Sequence, residues 1–185
     1  MCRPVSAQMG ADMKPLRQIK TEEQIELLKK CWMTHDGMWF YHCLQELGIE
    51  KTNMLNKAAI KSLAPIETGR MIRAMGIEGK HIQTFAEFKN FFENAAALFI
   101  GDFMNIRMSF PAKNVLHWEF EPQNCFAYKG MQRLGVIAQY ECGVIYRVEC
   151  WIDSLGIKYS VNPQTKKCSM LVDGTCSGDF RFDLK

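Results

Sequence analysis

The sequence has no long apolar run. Its longest unbroken one, Ala95–Ile100, is far short of the roughly 20 residues that a membrane-crossing helix needs. No membrane partner is expected. Residues Met1 to Lys14 carry Arg3, Asp12 and Lys14 but no apolar segment of the kind a secretory leader requires, so the cytoplasm is the expected compartment. Charge of one sign is not concentrated either. The 23 basic and 20 acidic residues give a net charge of +3 and no long block of like charges, so nucleic acid is not an expected partner. Also missing are a Gly-rich phosphate loop, a G-x-S-x-G elbow and a C-x-x-C pair, which argues against nucleotide and dinucleotide chemistry.

What is present suits one ordinary globular domain: 185 residues, of which 48% are hydrophobic and 23% charged. The fold class expected is α+β, with N-terminal helices packed on a C-terminal, mainly antiparallel sheet that carries one long inserted helix. Residues 1–18 show no period and read as a loose arm. Residues 19–185 read as a single domain, helical over 19–101 and sheet-forming over 102–185. Thr21 with Gln24, and Thr84 with Glu87, have capping-box spacing. The first begins a helix, or two broken near Gly37, that runs through Ile25, Leu28, Trp32, Trp39 and Leu44 to a C-terminal glycine at Gly48. A further helix through Met54 and Leu63 is expected to stop near Pro65, with a short one around Met71 closed by Gly76. After Gly101 the period changes from about 3.6 to about 2. Strands are expected over 103–110 and 115–121, with a short strand or turn carrying Cys125, Phe126 and Tyr128. A helix reaches Gly156, and Ile157–Val161, Cys168–Val172 and Phe180–Leu184 complete the sheet.

Eight cysteines and twelve methionines in a chain expected to keep its thiols reduced raise the question of metal or redox chemistry. Cys142 opens the late helix, and Cys168 and Cys176 are separated by a hairpin-length segment with a turn at Asp173-Gly174. Three converging thiolates suit zinc, which takes four ligands in a tetrahedron. Against this stands the ordinary role of a free cysteine as a small buried hydrophobe.

The pattern Cys142 … Trp151-x-x-x-Leu155-Gly156 … Cys168-x-x-x-x-Asp173-Gly174-x-Cys176-x-x-x-Phe180-x-Phe182 resembles the 4-vinyl-reductase domain, a small-molecule-binding module, over roughly residues 103–185. It is similar also to the sensor domains of phenol-responsive bacterial regulators, in which three cysteines and a glutamate hold zinc. The resemblance implies Cys142, Cys168 and Cys176 as ligands. The family's glutamate falls at Thr165, flanked by Gln164 and Lys166, which leaves water, Cys150, Glu141 or no group in the fourth place.

In the helical half, Trp32, His35, Asp36, Trp39, His42 and Cys43 are spaced to share one broad helix face. His35 and Asp36 are candidates for a general base; the alternative is that the indoles are core and His35 bonds nearby backbone. The run Trp32-Met33-Thr34-His35-Asp36-Gly37-Met38-Trp39-Phe40 resembles the opening signature of a family of uncharacterised small bacterial cytosolic proteins. A weaker similarity runs to the 2-aminothiazoline-4-carboxylate hydrolase family. On a strand, His117 and Trp118 must face opposite ways, with Trp118 toward the core.

The leading expectation is therefore a binding protein for a small apolar or aromatic molecule, with a structural zinc site and an apolar pocket between sheet and helices. Its lining candidates are Trp32, Trp39, Phe92, Phe99, Trp118, Phe126 and Tyr128. With no output domain in the sequence, a signal would pass to a separate partner, or through a homodimer. The alternatives are a hydrolase of a small heterocycle, using metal-bound water or the His35–Asp36 pair, and a thiol redox sensor built on Cys142, Cys150, Cys168 and Cys176.

Overall fold

The computed structural model describes residues 15–164 and 166–185. Most of the expected N-terminal arm, together with Thr165, lies outside the described residues.

The helical half is dominated by α1 (Thr21–Ala74), which is two arms in one, because Gly48 at φ 74° and ψ 171° leaves helical geometry and redirects the chain. A positive φ is what glycine adopts without steric cost, so the first arm ends at Gly48, the expected C-terminal glycine, and the helix continues unbroken through Gly37, where a break was the alternative. Lys20, not Thr21, occupies the N-cap position. Gln24 reaches back instead, and its Nε2 donates to the carbonyls of Ile19 at 2.7 Å and Leu16 at 3.1 Å. Nor does the chain stop at Pro65. Proline removes one N–H, whose partner would have been the carbonyl of exposed Lys61, where water can substitute. Thr68 Oγ1 donates to the Ala64 carbonyl at 3.0 Å across the same turn. The helix ends at Met75 and Gly76, the latter at φ 66°.

α2 (Phe85–Phe99) begins with the expected capping box, in which the Glu87 N–H donates to Thr84 Oγ1 and the Glu87 carboxylate accepts from the Thr84 N–H. Its apolar face carries Phe88, Phe91, Phe92 and Ala95 into the interior. The sheet follows, with β1 (Ile106–Ala112), β2 (Val115–Phe120), β3 (Tyr159–Asn162) and β4 (Cys176–Phe182) in the order β1-β2-β4-β3, every pairing antiparallel. The architecture is α+β, with long N-terminal helices against a four-stranded antiparallel sheet in the C-terminal half.

Cross-strand partners share a face, so Leu116 with Phe180, Trp118 with Gly178 and Phe120 with Cys176 form the covered side of the sheet. On the other side Arg107 meets Glu119 at 3.0 Å and His117 meets Asp179 at 2.8 Å, which is the split expected for the His117–Trp118 pair. α2 lies against the covered face through Phe88 and Phe182, whose ring centroids are 4.3 Å apart. Phe88, Leu116, Trp118, Ile145, Ile152 and Phe180 are fully buried, each contributing on the order of 1.5–3 kcal/mol.

Two expected strand segments are helices. β2 has β1 on one edge and β4 on the other, so the chain after Phe120 has no place beside β2, and it forms α3 (Phe126–Arg133). Likewise Ser169 and Met170 are buried consecutively rather than alternately, in the single-turn α5 (Ser169–Val172). Between these two lies α4 (Gly143–Ser154), whose buried Ile145, Val148, Trp151 and Ile152 keep helical spacing and pack along α1.

Candidate functional site

Two cavities share a wall. The smaller, of about 10 Å³, is lined by Cys125, Cys142, Cys168 and Cys176, with Phe120, Ala127, Tyr128, Tyr140, Val144, Ser169 and Met170 completing it. That volume holds about one water-sized sphere. Three of its cysteines have the same local reason for being there: Cys125, Cys142 and Cys168 are the N-cap residues of α3, α4 and α5. An N-cap side chain turns back toward the first free N–H groups of its helix. The N–H groups of Tyr128 and Ala127 lie toward the Cys125 sulfur and those of Ile145 and Val144 toward the Cys142 sulfur, near enough to ease each thiol downward without making a side-chain capping bond. Cys176 arrives from the covered face of β4. The expected convergence of Cys168 and Cys176 does occur, through a helical turn rather than through a hairpin.

Sequence reasoning missed Cys125. The reading of its segment as strand or turn hid the fact that it too precedes a helix. The alternatives considered for a fourth ligand are engaged elsewhere. Glu141 is ion-paired with Lys57, and Cys150 lies beside Tyr146 on a later turn of α4. Burial pushes the Cys142 thiol up to about 11 and the Cys176 thiol up to about 12, and raises Cys125 as well. Repulsion among the four sulfurs adds to each rise.

As they stand the four sulfurs do not form a metal site: among the described residues no group of three or more His, Cys, Asp or Glu side chains is placed to hold an ion. Displacing the thiol protons would turn the mutual repulsion into shared attraction to one cation. Moreover, the buried Trp118 Nε1 has no full hydrogen-bond partner, yet its N–H is near enough to ease the Cys176 thiol downward. A metal-bound thiolate is a better acceptor for that orphan than a thiol.

The larger cavity, of about 260 Å³, lies between both arms of α1, the body of α4, the start of β1 and α3. Most of its wall is apolar, with Trp32, Met33, Phe40, Ile60, Phe99, Met104, Met108, Phe126, Met131, Val148 and Trp151. Polar lining comes from Asp36, Asn56, Tyr140 and Arg147. The Arg147 guanidinium sits 4.5 Å from the ring centroid of Trp32 and 5.7 Å from that of Trp151, and is paired with the buried Glu67. Glu67 also accepts from Trp151 Nε1 at 2.7 Å. Ala127, Tyr140 and Val144 belong to both cavities, and the Tyr140 hydroxyl accepts from the Gly143 N–H at 3.1 Å.

Of the expected lining residues, Trp32, Phe99 and Phe126 face the larger cavity. Four do not. Trp39 is 67% exposed, Trp118 is wholly buried beneath the sheet, Tyr128 lines the cysteine cavity, and Phe92 lies with Phe99 in a separate 10 Å³ core void between α2 and α4. Asp36 reaches the cavity and His35 does not, since neighbouring helix positions point about 100° apart. The two side chains are thus not brought together as a pair. Asn56, Tyr140 and Arg147 were missed; each stands in a polar or helix-forming context that gives a single sequence no reason to single it out.

Residues 16–95 match a family of unknown function (DUF6125). The match covers α1 and most of α2, hence one wall of the larger cavity, and ends before all four clustered cysteines. No curated protein and no solved structure matches the chain. No helix among the described residues is long and apolar enough to cross a membrane.

Proposed function

We propose that this protein binds a small, mostly apolar molecule in the 260 Å³ cavity, and that a zinc ion held by Cys142, Cys168 and Cys176 with Cys125 supports the cavity wall. The cavity carries the reading. A void of about 150 Å³ is known to admit benzene, so this one has room for a substituted ring. Its lining of aromatic and methionine side chains with a few polar groups is the composition of small-molecule sites. The resemblance of the cysteine spacing to 4-vinyl-reductase-type modules supports the same conclusion.

Four thiolates would close the coordination sphere, so the ion would serve as a cross-link among α3, α4, α5 and β4 and leave no open position for substrate. A redox-sensing role fits less well, because sensing thiols are exposed and of low pKa, whereas burial raises Cys125, Cys142 and Cys176.

The test is mass spectrometry of small molecules that co-purify with protein prepared without oxygen, followed by titration of the released compound into emptied protein. Trp32 and Trp151 line the cavity, so binding should change tryptophan fluorescence, and Trp32→Phe should remove part of that signal. A protein that carries no small molecule, and whose fluorescence no aromatic compound alters at millimolar concentration, is not a binding module of this kind.

A further inference from the structure

Resting on the assignment of the larger cavity as a ligand site, we infer that its ligand is an amine, with an apolar or aromatic body inside and a protonated amino group held at the mouth by Asp36. Among the described residues two charged side chains line this space, Asp36 and Arg147. They are not equally available. The Arg147 guanidinium is paired with the buried Glu67 and lies 4.5 Å from the ring centroid of Trp32. An anion that approached it would meet the Glu67 carboxylate as well, so the pair offers a ligand little net charge. Asp36 has no such partner: it belongs to none of the ion pairs among the described residues. It is an exposed residue that also lines the cavity, which puts its carboxylate at the rim. The uncompensated charge of this cavity is therefore negative.

The surroundings of Asp36 suit a cation attached to an apolar body. Trp32 and Phe40 stand four residues before and after it, on the same side of α1, and line the same space. Aromatic rings attract a cation, as Trp32 already does with Arg147. Gly37, next to Asp36, has no side chain, and a Cβ there would meet nothing within 4 Å, so the rim is open beside the carboxylate. Further in, the wall is apolar and buried, with Ile60, Met104 and Val148. A neutral ligand gains nothing from the carboxylate, and an anionic one brings like charges together. An ammonium group gains an ion pair at a rim where apolar walls weaken screening.

Three probes that share one ring separate charge from shape: toluene, benzylamine and benzoate. Each is titrated at neutral pH into the full chain after any co-purified compound has been removed, and read by tryptophan fluorescence, because Trp32 and Trp151 line the cavity. A rim ion pair and a neighbouring ring together are worth about tenfold, so benzylamine should bind about tenfold tighter than toluene, with benzoate the weakest. Asp36→Asn should abolish the preference for benzylamine over toluene. Glu46→Gln, which removes an exposed carboxylate from the same arm of α1 outside the cavity, should leave it intact. If Asp36→Asn does not fold, the order of the three probes on the wild type decides. Equal affinity for toluene and benzylamine, or a preference for benzoate, overturns the amine assignment and leaves the cavity as a ligand site. A preference that survives in Asp36→Asn, or that Glu46→Gln also removes, overturns the role of Asp36. Binding of none of the three overturns both assignments.

Discussion

Trp118 pairs across the β2–β4 ladder with Gly178, and a Cβ on Gly178 would stand 2.4 Å from both Cη2 and Cζ2 of the indole and 2.5 Å from the Asn162 carbonyl oxygen. The glycine is there because the indole lies across its backbone. Gly178→Ala must push either the largest fully buried side chain or the backbone of β3, and overpacking of this kind costs about 1–3 kcal/mol. Trp118→Ala opens a void instead and should cost about 3–5 kcal/mol. Denaturant melts measure both. Because Trp118 lines neither cavity, neither variant that remains folded should change the affinity of a ligand in the larger one.

Elemental analysis of protein purified without oxygen should find about one zinc per chain. The Cys168→Ser and Cys176→Ser double variant should lose both the metal and much of its stability, since binding to a structural site is folding free energy. Cys31→Ser should change neither, because Cys31 is exposed on α1 and outside the cluster. Metal-free protein that is as stable as its double serine variant would leave the cluster as four free thiols.

Glu67 is 4% exposed and holds both the Arg147 guanidinium and the Trp151 indole N–H. Removing it strands a mostly buried cation. Glu67→Ala should therefore cost about 3–5 kcal/mol, and adding Arg147→Met should recover part of the loss. Glu67→Gln keeps an acceptor for Trp151 and should fall between. A double-mutant cycle by chemical denaturation gives the coupling, and a cycle with no coupling would mean that the pair is replaced by water.

At the start of α2 the Glu87 carboxylate accepts from the N–H groups of Gln83 and Thr84, both at 3.0 Å, and these bonds hold its pKa below the ordinary 4.5. A lowered folded-state pKa means that the contribution is present above the unfolded value and lost as the pH falls through the folded one. The melting temperature of wild type minus that of Glu87→Gln should therefore be flat from pH 7 to about 5 and shrink below it. A difference that persists unchanged to pH 3 would show that the charge plays no part.

The elements visible in the sequence are those that local rules determine. The capping box at Thr84–Glu87, the glycine breaks at Gly48, Gly76 and Gly156, and the alternation that sends Trp118 inward and His117 outward all act over a few residues. The misread segments follow from non-local facts. Phe126 to Tyr128 is helical, with Cys125 as its N-cap, after a β2 whose two edges are both occupied, and Pro65 is tolerated because the carbonyl it leaves unpaired, on Lys61, is at the surface. Three of the cysteines were legible as a group through their spacing. The fourth joins them through the N-cap position of a helix that the sequence did not disclose. Trp39 was read as a lining residue from helical spacing alone, but spacing cannot tell which side of a helix meets its neighbours, and here that side carries Trp32, Asp36 and Phe40.

Gly37 and Gly130 both line the larger cavity from within helices, and a Cβ on either would meet nothing within 4 Å. A glycine inside a helix costs about 1 kcal/mol relative to alanine, and neither of these sits at a positive φ that would demand it. Gly37→Ala and Gly130→Ala should therefore stabilise the ligand-free protein, each by up to about 1 kcal/mol, read as a rise in melting temperature. Leucine at the same positions extends the side chain into space that a ligand would use, adding a helix-favouring residue and apolar contacts while reducing the 260 Å³ void. The two effects should then separate: Gly130→Leu and Gly37→Leu should melt no lower than wild type yet bind toluene at least tenfold more weakly. If both leucine variants raise the melting temperature and leave toluene binding intact, the probe sits elsewhere. If both instead destabilise, the cavity is narrower at these glycines than its lining implies, and its capacity for a ring falls with it.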